Sequence, residues 1–328
     1  MTRRPAATEP EWWYKGGMNG PRCFPARATA TLSLLAVVLA TACTRKAPAV
    51  DPAYRAEIEA WRTARVAALT APDGWLTLTG LYWLKPRANR FGSDPGNEIV
   101  LPGAAIAGVA GAIDLRPDGT AVLEPGPGAA VTVGGVAAGE RPLRSDRDGN
   151  PDVVALGTYR FYVIDRAGTL GVRVKDTASP ARAHFKGIEH FPLNPSYRVT
   201  ATFEAYPAPR QVKVATHQGP SQTMLAPGLV RFSLGGRSLA LEPFVSSPGD
   251  RTFFFVFRDA TSGHQTYGAG RFLDAEAPPR GGRTVVLDFN KATNPPCAFT
   301  PFATCPLPPL ANELPVPIAA GEMYSSHR

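Results

Sequence analysis

The chain has 328 residues, of which 44% are hydrophobic, and this is enough to bury a sizeable core. Its formal net charge is +8, but five of the 35 basic and two of the 27 acidic residues precede Cys43, which leaves +5 for the remainder. The basic residues of that remainder form no run or stripe, so nucleic acid is not expected as a partner. The 34 prolines and 32 glycines favour many short strands over long helices.

The N-terminal residues have the layout of an export signal. Residues 28–42 are uncharged and largely apolar, Arg22 and Arg27 precede them, and Cys43 follows directly. Residues 39–43, LATAC, resemble a bacterial lipobox, with Ala40 at the position where leucine is usual. This resemblance implies a lipoprotein that is cleaved before Cys43 and acylated on that cysteine. An ordinary cleaved signal peptide with an incidental cysteine is the alternative.

Residues 1–17 fit no signal layout, so they are predicted to be an upstream extension, with translation starting at Met18. Residues 18–42 would then be the signal peptide, and residues 43–50 a tether. The predicted location is the cell envelope, with the protein anchored to a membrane by its lipid and facing the periplasm or the outside.

A helix is predicted over residues 51–70. Asp51 is a suitable N-cap, and Pro52 suits the first helical position. Apolar side chains at helical spacing define one face for packing against the rest of the protein: Tyr54, Ile58, Trp61 and Leu69.

The remaining residues predict a mainly β fold, because short β-rich segments alternate with turn residues. Residues 71–190 are predicted to form a β-sandwich, and residues 191–328 a second antiparallel β-barrel or sandwich. The pairs Asp118-Gly119 and Asp148-Gly149 predict hairpin turns. Residues 295–317 are rich in proline and lack a strand pattern, so they are predicted to wrap over the C-terminal barrel.

Cys297 and Cys305 lie eight positions apart in this proline-rich segment. In an exported protein such a pair is predicted to form a disulfide. A metal site or reactive thiol, or a pair of free thiols, are the alternatives. A zinc site normally has four ligands, and no histidine lies nearby in the sequence, so neither a metal nor a cofactor is predicted.

Residues 89–102, NRFGSDPGNEIVLP, resemble the opening of a forkhead-associated domain, which is a β-sandwich. Four positions match that family's pattern: Gly92, Asn97, Ile99 and Leu101. Ser93 stands where the phosphate-binding arginine would be. The resemblance therefore implies the fold without recognition of phosphothreonine peptides, since the donors to the phosphate are missing. A generic turn between two strands is the alternative.

Three longer strings resemble a bacterial domain-of-unknown-function family, the one numbered sixteen eighty-four. They read GWLTLTGLYWL, FRDATSGHQTYGAGRFLD and LDFNKATNPPCAFTPFATCPLPPLANELPVPIAAGE. The resemblance extends over residues 61–322. It implies exported or lipid-anchored relatives and brings no established activity.

Polar residues on the C-terminal strands provide the candidate site. Residues 251–257, RTFFFVF, predict a strand buried on both faces that leads directly into Arg258 and Asp259. Alternation along the neighbouring strands places Tyr267 with Arg271, and Asp288 with Asn290. Arg271 is expected to pair with Asp288 or Asp259 inside the barrel, with other polar residues at its mouth. The candidate ligand-binding residues are Arg258, Asp259, Tyr267, Arg271, Asp288, Asn290 and Asn294.

These patterns favour a non-catalytic envelope lipoprotein that binds a small or amphipathic ligand, or an envelope partner, through its C-terminal domain. His184, His190 and His264 match no metal or triad motif. The alternatives are a periplasmic hydrolase, in which Asp288 or Asp259 is the base and Arg271 stabilises an anion, or a purely structural Arg–Asp pair. A cleft open at these carboxylates would favour the hydrolase, whereas apolar residues sealing them would oppose it.

Overall fold

The computed structural model describes residues 50–324, which belong to one compact unit. The predicted start at Met18, the signal peptide and Cys43 lie outside the described residues. None of the helices within residues 50–324 is both long and apolar enough to cross a membrane.

The predicted N-terminal helix is confirmed as α1, Pro52–Thr70. The Asp51 side chain accepts a hydrogen bond from the Ala53 N–H at 3.2 Å, as an N-cap residue does. Tyr54, Ile58 and Leu69 are buried. A second helix, α2, has one turn, Pro180–Ala183. Short 3₁₀ turns occupy Trp75–Thr77, Asp146–Asp148, Pro195–Tyr197, Phe289–Lys291, Pro296–Ala298 and Leu310–Asn312.

Eleven strands follow α1 in the first half of the chain. They are β1 Leu78–Trp83, β2 Arg87–Gly92, β3 Ile99–Val100, β4 Gly111–Leu115, β5 Ala121–Pro125, β6 Thr132–Val133, β7 Val136–Ala137, β8 Arg141–Pro142, β9 Val154–Leu156, β10 Tyr159–Arg166 and β11 Thr169–Asp176. They form a six-stranded sheet, β1-β11-β10-β9-β6-β7, and a five-stranded sheet, β3-β2-β4-β5-β8. One hydrophobic core, which includes Phe91, Ile113, Phe161 and Val172, draws residues from both sheets.

Six strands form the second half. They are β12 Arg198–Val214, β13 Gln222–Leu234, β14 Arg237–Leu241, β15 Thr252–Phe257, β16 Arg271–Glu276 and β17 Thr284–Asp288. They assemble into a four-stranded sheet, β14-β13-β12-β17, and a two-stranded sheet, β15-β16. Their shared core contains Phe232, Phe255, Leu287 and Ile318. The mainly β fold class is thus confirmed, but these six strands form separate sheets rather than the closed barrel that was one of the two predicted forms.

The two predicted hairpins have different outcomes. Asp118-Gly119 lies in the turn between β4 and β5, which pair directly. Asp148-Gly149 was wrong as a hairpin, because β8 pairs with β5 whereas β9 pairs with β10 and β6. Gly149, with φ of 81°, instead ends the 3₁₀ turn Asp146–Asp148.

The proline-rich segment contacts both halves of the protein. Its first part, residues 294–306 and here called the strap, lies between the two halves of the protein. The Thr300 hydroxyl donates to the Leu78 carbonyl of the N-terminal half at 2.9 Å. Only the later residues cover the C-terminal core, to which Leu314, Val316 and Ile318 contribute.

Helix α1 packs on the C-terminal half, although the N-terminal sheets follow it in the sequence. The Tyr54 hydroxyl hydrogen-bonds Asp288, 234 residues away, at 2.9 Å. Arg65 forms an ion pair with Glu322, 257 residues away, also at 2.9 Å. The C-terminal half is therefore completed by the first helix of the described chain.

Candidate functional site

The candidate residues do not converge on one barrel mouth. Arg271 and Asp259 form one buried pair, and Asp288 and Asn290 belong to a second cluster beneath α1. Asn294 lies in a third place, on the strap. The predicted shared face of Tyr267 and Arg271 was wrong, because β16 begins only at Arg271 and Tyr267 lies in the preceding turn.

Arg271 and Asp259, here called the sealed pair, have no exposed side-chain surface. The Arg271 Nη2 lies 2.6 Å from the Asp259 Oδ2 and 2.9 Å from the Ile318 carbonyl oxygen, and Nη1 donates to the Ala320 carbonyl at 2.5 Å. The Asp259 Oδ1 accepts from the backbone N–H and the hydroxyl of Thr261. Burial lowers the pKa of Arg271, and the Asp259 carboxylate opposes that shift. Since neither side chain of the pair is accessible, its geometry does not support a hydrolase built on these two groups.

Asp288 and Asn290 support helix α1. The Asp288 carboxylate accepts from the Tyr54 hydroxyl at 2.9 Å to each oxygen, and the Asn290 Nδ2 lies 3.1 Å from the same hydroxyl. Burial, followed by the bond to Asp288, raises the pKa of Tyr54. Asn290 lies in the 3₁₀ turn that follows β17, so the predicted shared strand face of Asp288 and Asn290 was also wrong. Of the two partners expected for Arg271, Asp288 and Asp259, it bonds to Asp259.

Arg258 and Tyr267 have separate surroundings. Arg258 is exposed and lies 3.8 Å from the Glu313 carboxylate. The Tyr267 hydroxyl donates to the Cys297 carbonyl at 3.0 Å, and its ring packs edge-on against Tyr324. Tyr267 therefore supports the strap.

Cys297 and Cys305 are buried free thiols, and the structure contains no disulfide between them. The backbone N–H of Cys297 donates to the Cys305 Sγ at 3.2 Å. The hydrogen bond from the Cys305 thiol lowers the pKa of Cys297, and the same contact, followed by burial, raises the pKa of Cys305. The two side chains are thus adjacent.

Asn294 has the surroundings expected of a binding residue. Its backbone N–H donates to the Glu322 Oε2 at 2.6 Å, and its carbonyl accepts from Arg65 at 2.9 Å. Its side-chain Nδ2 donates to the Met323 carbonyl at 2.9 Å, which fixes the orientation of the amide because a carbonyl only accepts. The Oδ1 is buried and has no hydrogen-bond partner.

Asn294 lines a cavity of about 570 Å³, here called the junction cavity. Apolar side chains make up most of its wall, with His184 and Lys186 exposed at its edge. Phe185 and Phe299 meet edge-on, with ring centroids 6.3 Å apart. Leu76, Ala181 and Met323 also line the cavity.

Two titratable side chains, the buried Glu322 and the half-buried His190, lie near Asn294. Burial raises the pKa of Glu322, and its bonds to Arg65 and to the Asn294 N–H oppose that shift. Burial, with Arg62 nearby, lowers the pKa of His190 to about 4, so this imidazole is neutral at pH 7. The neutral ring has its Nδ1 3.0 Å from the Ile188 carbonyl and its buried Nε2 without a partner.

Arg65 and Glu322 were not predicted as part of a site. Arg65 falls at offset 11 from Tyr54, on the same helix face as Ile58 and Leu69. A charged residue on an apolar helix face is a signal, because a charge taken from water needs a buried partner. The partner, Glu322, comes from the distant end of the chain, so the sequence does not identify it.

The arrangement is suited to holding an amphipathic molecule. The cavity offers apolar contact area, and Asn294 in its lining has an unpaired acceptor, the kinds of group that together fix the orientation of a ligand. Within residues 50–324, no group of three or more His, Cys, Asp or Glu side chains has an arrangement that would hold a metal ion.

Comparisons with known proteins agree with the resemblance in the C-terminal half. The profile of the family described as "Protein of unknown function (DUF1684)" matches residues 183–323. The chain is also similar to an uncharacterized protein of Haloarcula marismortui, whose structure was solved by solution NMR. That likeness has 35% sequence identity and a TM-score of 0.39, and it covers 45% of this chain and 81% of the other.

No curated protein matches the chain. The family match does not reach the N-terminal sheets, so their forkhead-associated-like character stays a prediction. The family match lies in the C-terminal half. The chain therefore belongs, through its C-terminal domain, to the DUF1684 family of proteins of unknown function.

Proposed function

We propose that the protein binds a small amphipathic ligand in the junction cavity. The observation that carries this proposal is the buried Oδ1 of Asn294, an acceptor without a hydrogen-bond partner on a residue that lines a mostly apolar cavity. A buried acceptor without a hydrogen bond costs about 1–3 kcal/mol, and a ligand N–H or O–H would recover that free energy.

The lining residues define the chemistry of the ligand. Leu76, Phe299 and Met323 would contact an apolar body, and Asn294 would accept a hydrogen bond from a donor on it. His184 and Lys186, exposed at the edge, would contact a polar head group. The protein contributes binding and orientation in this proposal, with no chemical step.

The test uses N-phenyl-1-naphthylamine, a neutral fluorescent amphiphile with one N–H donor. Ala181 is exposed and lines the cavity, so Ala181→Trp should fill it. We expect the folded wild-type protein to bind the probe and Ala181→Trp to bind it at least about tenfold more weakly, a loss of about 1.4 kcal/mol.

Ala183→Trp is the matched control, because Ala183 is exposed on the same short helix and does not line the cavity. It should bind the probe as the wild type does. Equal probe binding by Ala181→Trp and wild type, or no binding by wild type, would contradict the proposal.

We also propose that Cys43 carries the lipid that anchors the protein in the cell envelope. The support is the sequence of residues 28–43, with its basic flank, apolar stretch and lipobox-like end. Two or more acyl chains are needed for a stable anchor. Cys43→Ser should abolish metabolic labelling with palmitate, and unchanged labelling would refute the anchor.

In an oxidising compartment we expect Cys297 and Cys305 to form a disulfide, since their side chains are already in contact. The S–S bond forms as the two thiols pass two electrons and two protons to the disulfide of an oxidised carrier protein. Intact mass measured with and without reductant should differ by two hydrogens. An unchanged mass in protein taken from the envelope would rule the bond out.

A further inference from the structure

Arg173 is a buried arginine without an anionic partner. It lies on β11, between β1 and β10, and only 6% of its surface is exposed. Its nearest hydrogen-bond partners are neutral hydroxyls, Tyr162 at 3.3 Å and Thr304 at 3.4 Å. Its Nε has no partner at all. Within residues 50–324, no ion pair includes Arg173, in contrast to the sealed pair.

Such an arrangement is unfavourable in the protein by itself. A charge removed from water is normally paired with an opposite charge and hydrogen-bonded. The Arg173 guanidinium lies 5.2 Å from the centre of the Trp75 ring and 5.9 Å from that of Tyr162. Contacts with two aromatic faces stabilise a cation only partly, and they do not supply the counter-charge that the site lacks.

Arg173 faces a second cavity, of about 700 Å³, here called the arginine cavity. Arg166 lines it too and is fixed by two bonds to Asp146, of 2.9 and 2.8 Å. The Thr304 hydroxyl lies 3.3 Å from the Arg166 Nε, so the two guanidinium groups converge on one oxygen of the strap. Asp165, the acidic residue in the lining, is 3.0 Å from Arg147 and thus already paired.

Apolar residues form most of the rest of the arginine cavity, together with Gln222 and Thr223. Its lining includes Trp75, Phe254, Phe272, Pro296 and Pro306. A planar or hydrocarbon group would find contact area there, next to the positive end formed by the arginines. The cavity is therefore polar and cationic at one end and apolar at the other.

We propose that the arginine cavity binds an oxyanion carried on an apolar body, such as an aryl or alkyl phosphate, sulfate or carboxylate. The oxyanion lies against Arg173, Thr304 and Arg166, where planar guanidinium groups donate charge-assisted hydrogen bonds to it. The apolar body lies against Trp75 and Phe272. This site is separate from the junction cavity and does not rest on the ligand proposed there.

The test titrates the full-length protein with phenyl phosphate, and with phenol as the neutral comparison, by calorimetry and thermal unfolding. We expect phenyl phosphate to bind and to raise Tm, and phenol to do neither at the same concentration. Arg173→Met should weaken phenyl phosphate binding about ten- to hundredfold, the range for lost hydrogen bonds to a charged group. Arg173→Lys should retain part of the affinity, since it keeps the positive charge but loses the planar guanidinium that can donate two parallel hydrogen bonds.

Stability without ligand separates this proposal from a structural role. If Arg173 serves to bind an anion, Arg173→Met should leave the Tm of the ligand-free protein unchanged or raise it, because the substitution removes an unpaired buried charge. Arg160→Met is the control, since Arg160 lies in the same sheet and bonds the carbonyls of Gly157 and Tyr159. It should bind phenyl phosphate as the wild type does.

The proposal fails if wild type does not bind phenyl phosphate up to about 10 mM, an affinity too weak to matter. It also fails if Arg173→Met binds it as tightly as wild type. Should Arg173→Met not fold, the wild-type titration and Arg173→Lys decide the question. Ala181→Trp, which fills the junction cavity, should bind phenyl phosphate normally, so failure of one site is distinguishable from failure of the other.

Discussion

The sealed pair and the wall of the junction cavity contain similar residues in contrasting states. In the sealed pair both carboxylate oxygens of Asp259 are bonded, and Arg271 donates to two carbonyls through Nη1 and Nη2 while its Nε has no partner. In the cavity wall, Glu322 is bonded in the same manner, but the Asn294 Oδ1 beside it has no partner. A buried charge that is ion-paired supports the fold, whereas an unpaired acceptor on a residue that lines a cavity is what a ligand can use.

One short segment links the two regions. The Ala320 carbonyl accepts from Arg271, and two residues later Glu322 accepts from Asn294. The comparison thus predicts large losses of stability from substitutions in the sealed pair and smaller ones on the cavity side.

The largest effect is expected for Arg271→Leu, which leaves the Asp259 carboxylate buried and without its cation. The free energy of unfolding should fall by about 3–5 kcal/mol, as measured by urea denaturation. Arg258→Leu is the control, because that exposed residue should change stability by about 0–1 kcal/mol. A stable Arg271→Leu protein would show that the pair is not structural.

Gly321→Ala should have the next largest effect, because it disturbs the segment that both regions share. Gly321 has φ of +80°, and an added Cβ would lie 2.8 Å from the Phe289 carbonyl oxygen. Strain and overpacking together should cost about 2–4 kcal/mol in thermal or urea unfolding. Gly281→Ala has a similar φ with open space around it, so it should cost less. Equal losses would mean that the packing at Gly321 is unimportant.

Tyr54→Phe tests how helix α1 is held against the C-terminal half. It removes the hydroxyl that donates to Asp288 and should cost about 1–3 kcal/mol, because a buried carboxylate loses a donor. A double-mutant cycle with Asp288→Asn should give a coupling free energy well above zero. Additive effects of the two substitutions would show that the bond does not hold the helix.

The smallest effect is a pH dependence from His190. Its folded-state pKa of about 4 lies below the ordinary value of 6.5, so protonation favours the unfolded chain. His190 therefore stabilises the fold fully above about pH 6.5, and this contribution is lost as the pH falls towards 4. Glu322, with its raised pKa, acts oppositely and loses stabilisation as the pH rises from its ordinary value of 4.5 towards its folded-state pKa.

The difference between wild type and His190→Phe in the slope of Tm against pH, measured between pH 6.5 and 5, isolates the histidine from Glu322. His190→Phe should flatten this slope. His217→Phe should leave it unchanged, because His217 lies away from the cavity wall and beside the strap. The same slope in the wild type and in His190→Phe would exclude His190 as the source.

The sequence predicted local structure well where one segment decides it. The Asp51 cap, the α1 face, the hairpin at Asp118-Gly119 and the double-sided burial of β15 all follow from neighbouring residues. The predictions for Tyr267 and Asn290 failed because alternation was extended past the strand ends, into a turn and a 3₁₀ turn.

The site was predicted only in part, for a different physical reason. Asn294 was identified as polar, but its partners Arg65 and Met323 come from the two ends of the described chain. Arg173 was not singled out, since nothing in VRVKD shows that tertiary packing buries its guanidinium beneath Trp75. Long-range contacts decide which side chains are buried and which polar atoms find hydrogen-bond partners, and local periodicity does not encode these contacts.

The docking of helix α1 on the C-terminal half has a consequence for synthesis. Arg65 leaves the ribosome 257 residues before its partner Glu322, and at about 5–20 residues per second this interval is roughly 10–50 s. During that time the apolar side of the helix has no native surface to cover it. A protein that passes unfolded through an export channel avoids this delay, whereas one that folds as it is made would need a chaperone to shield its first helix.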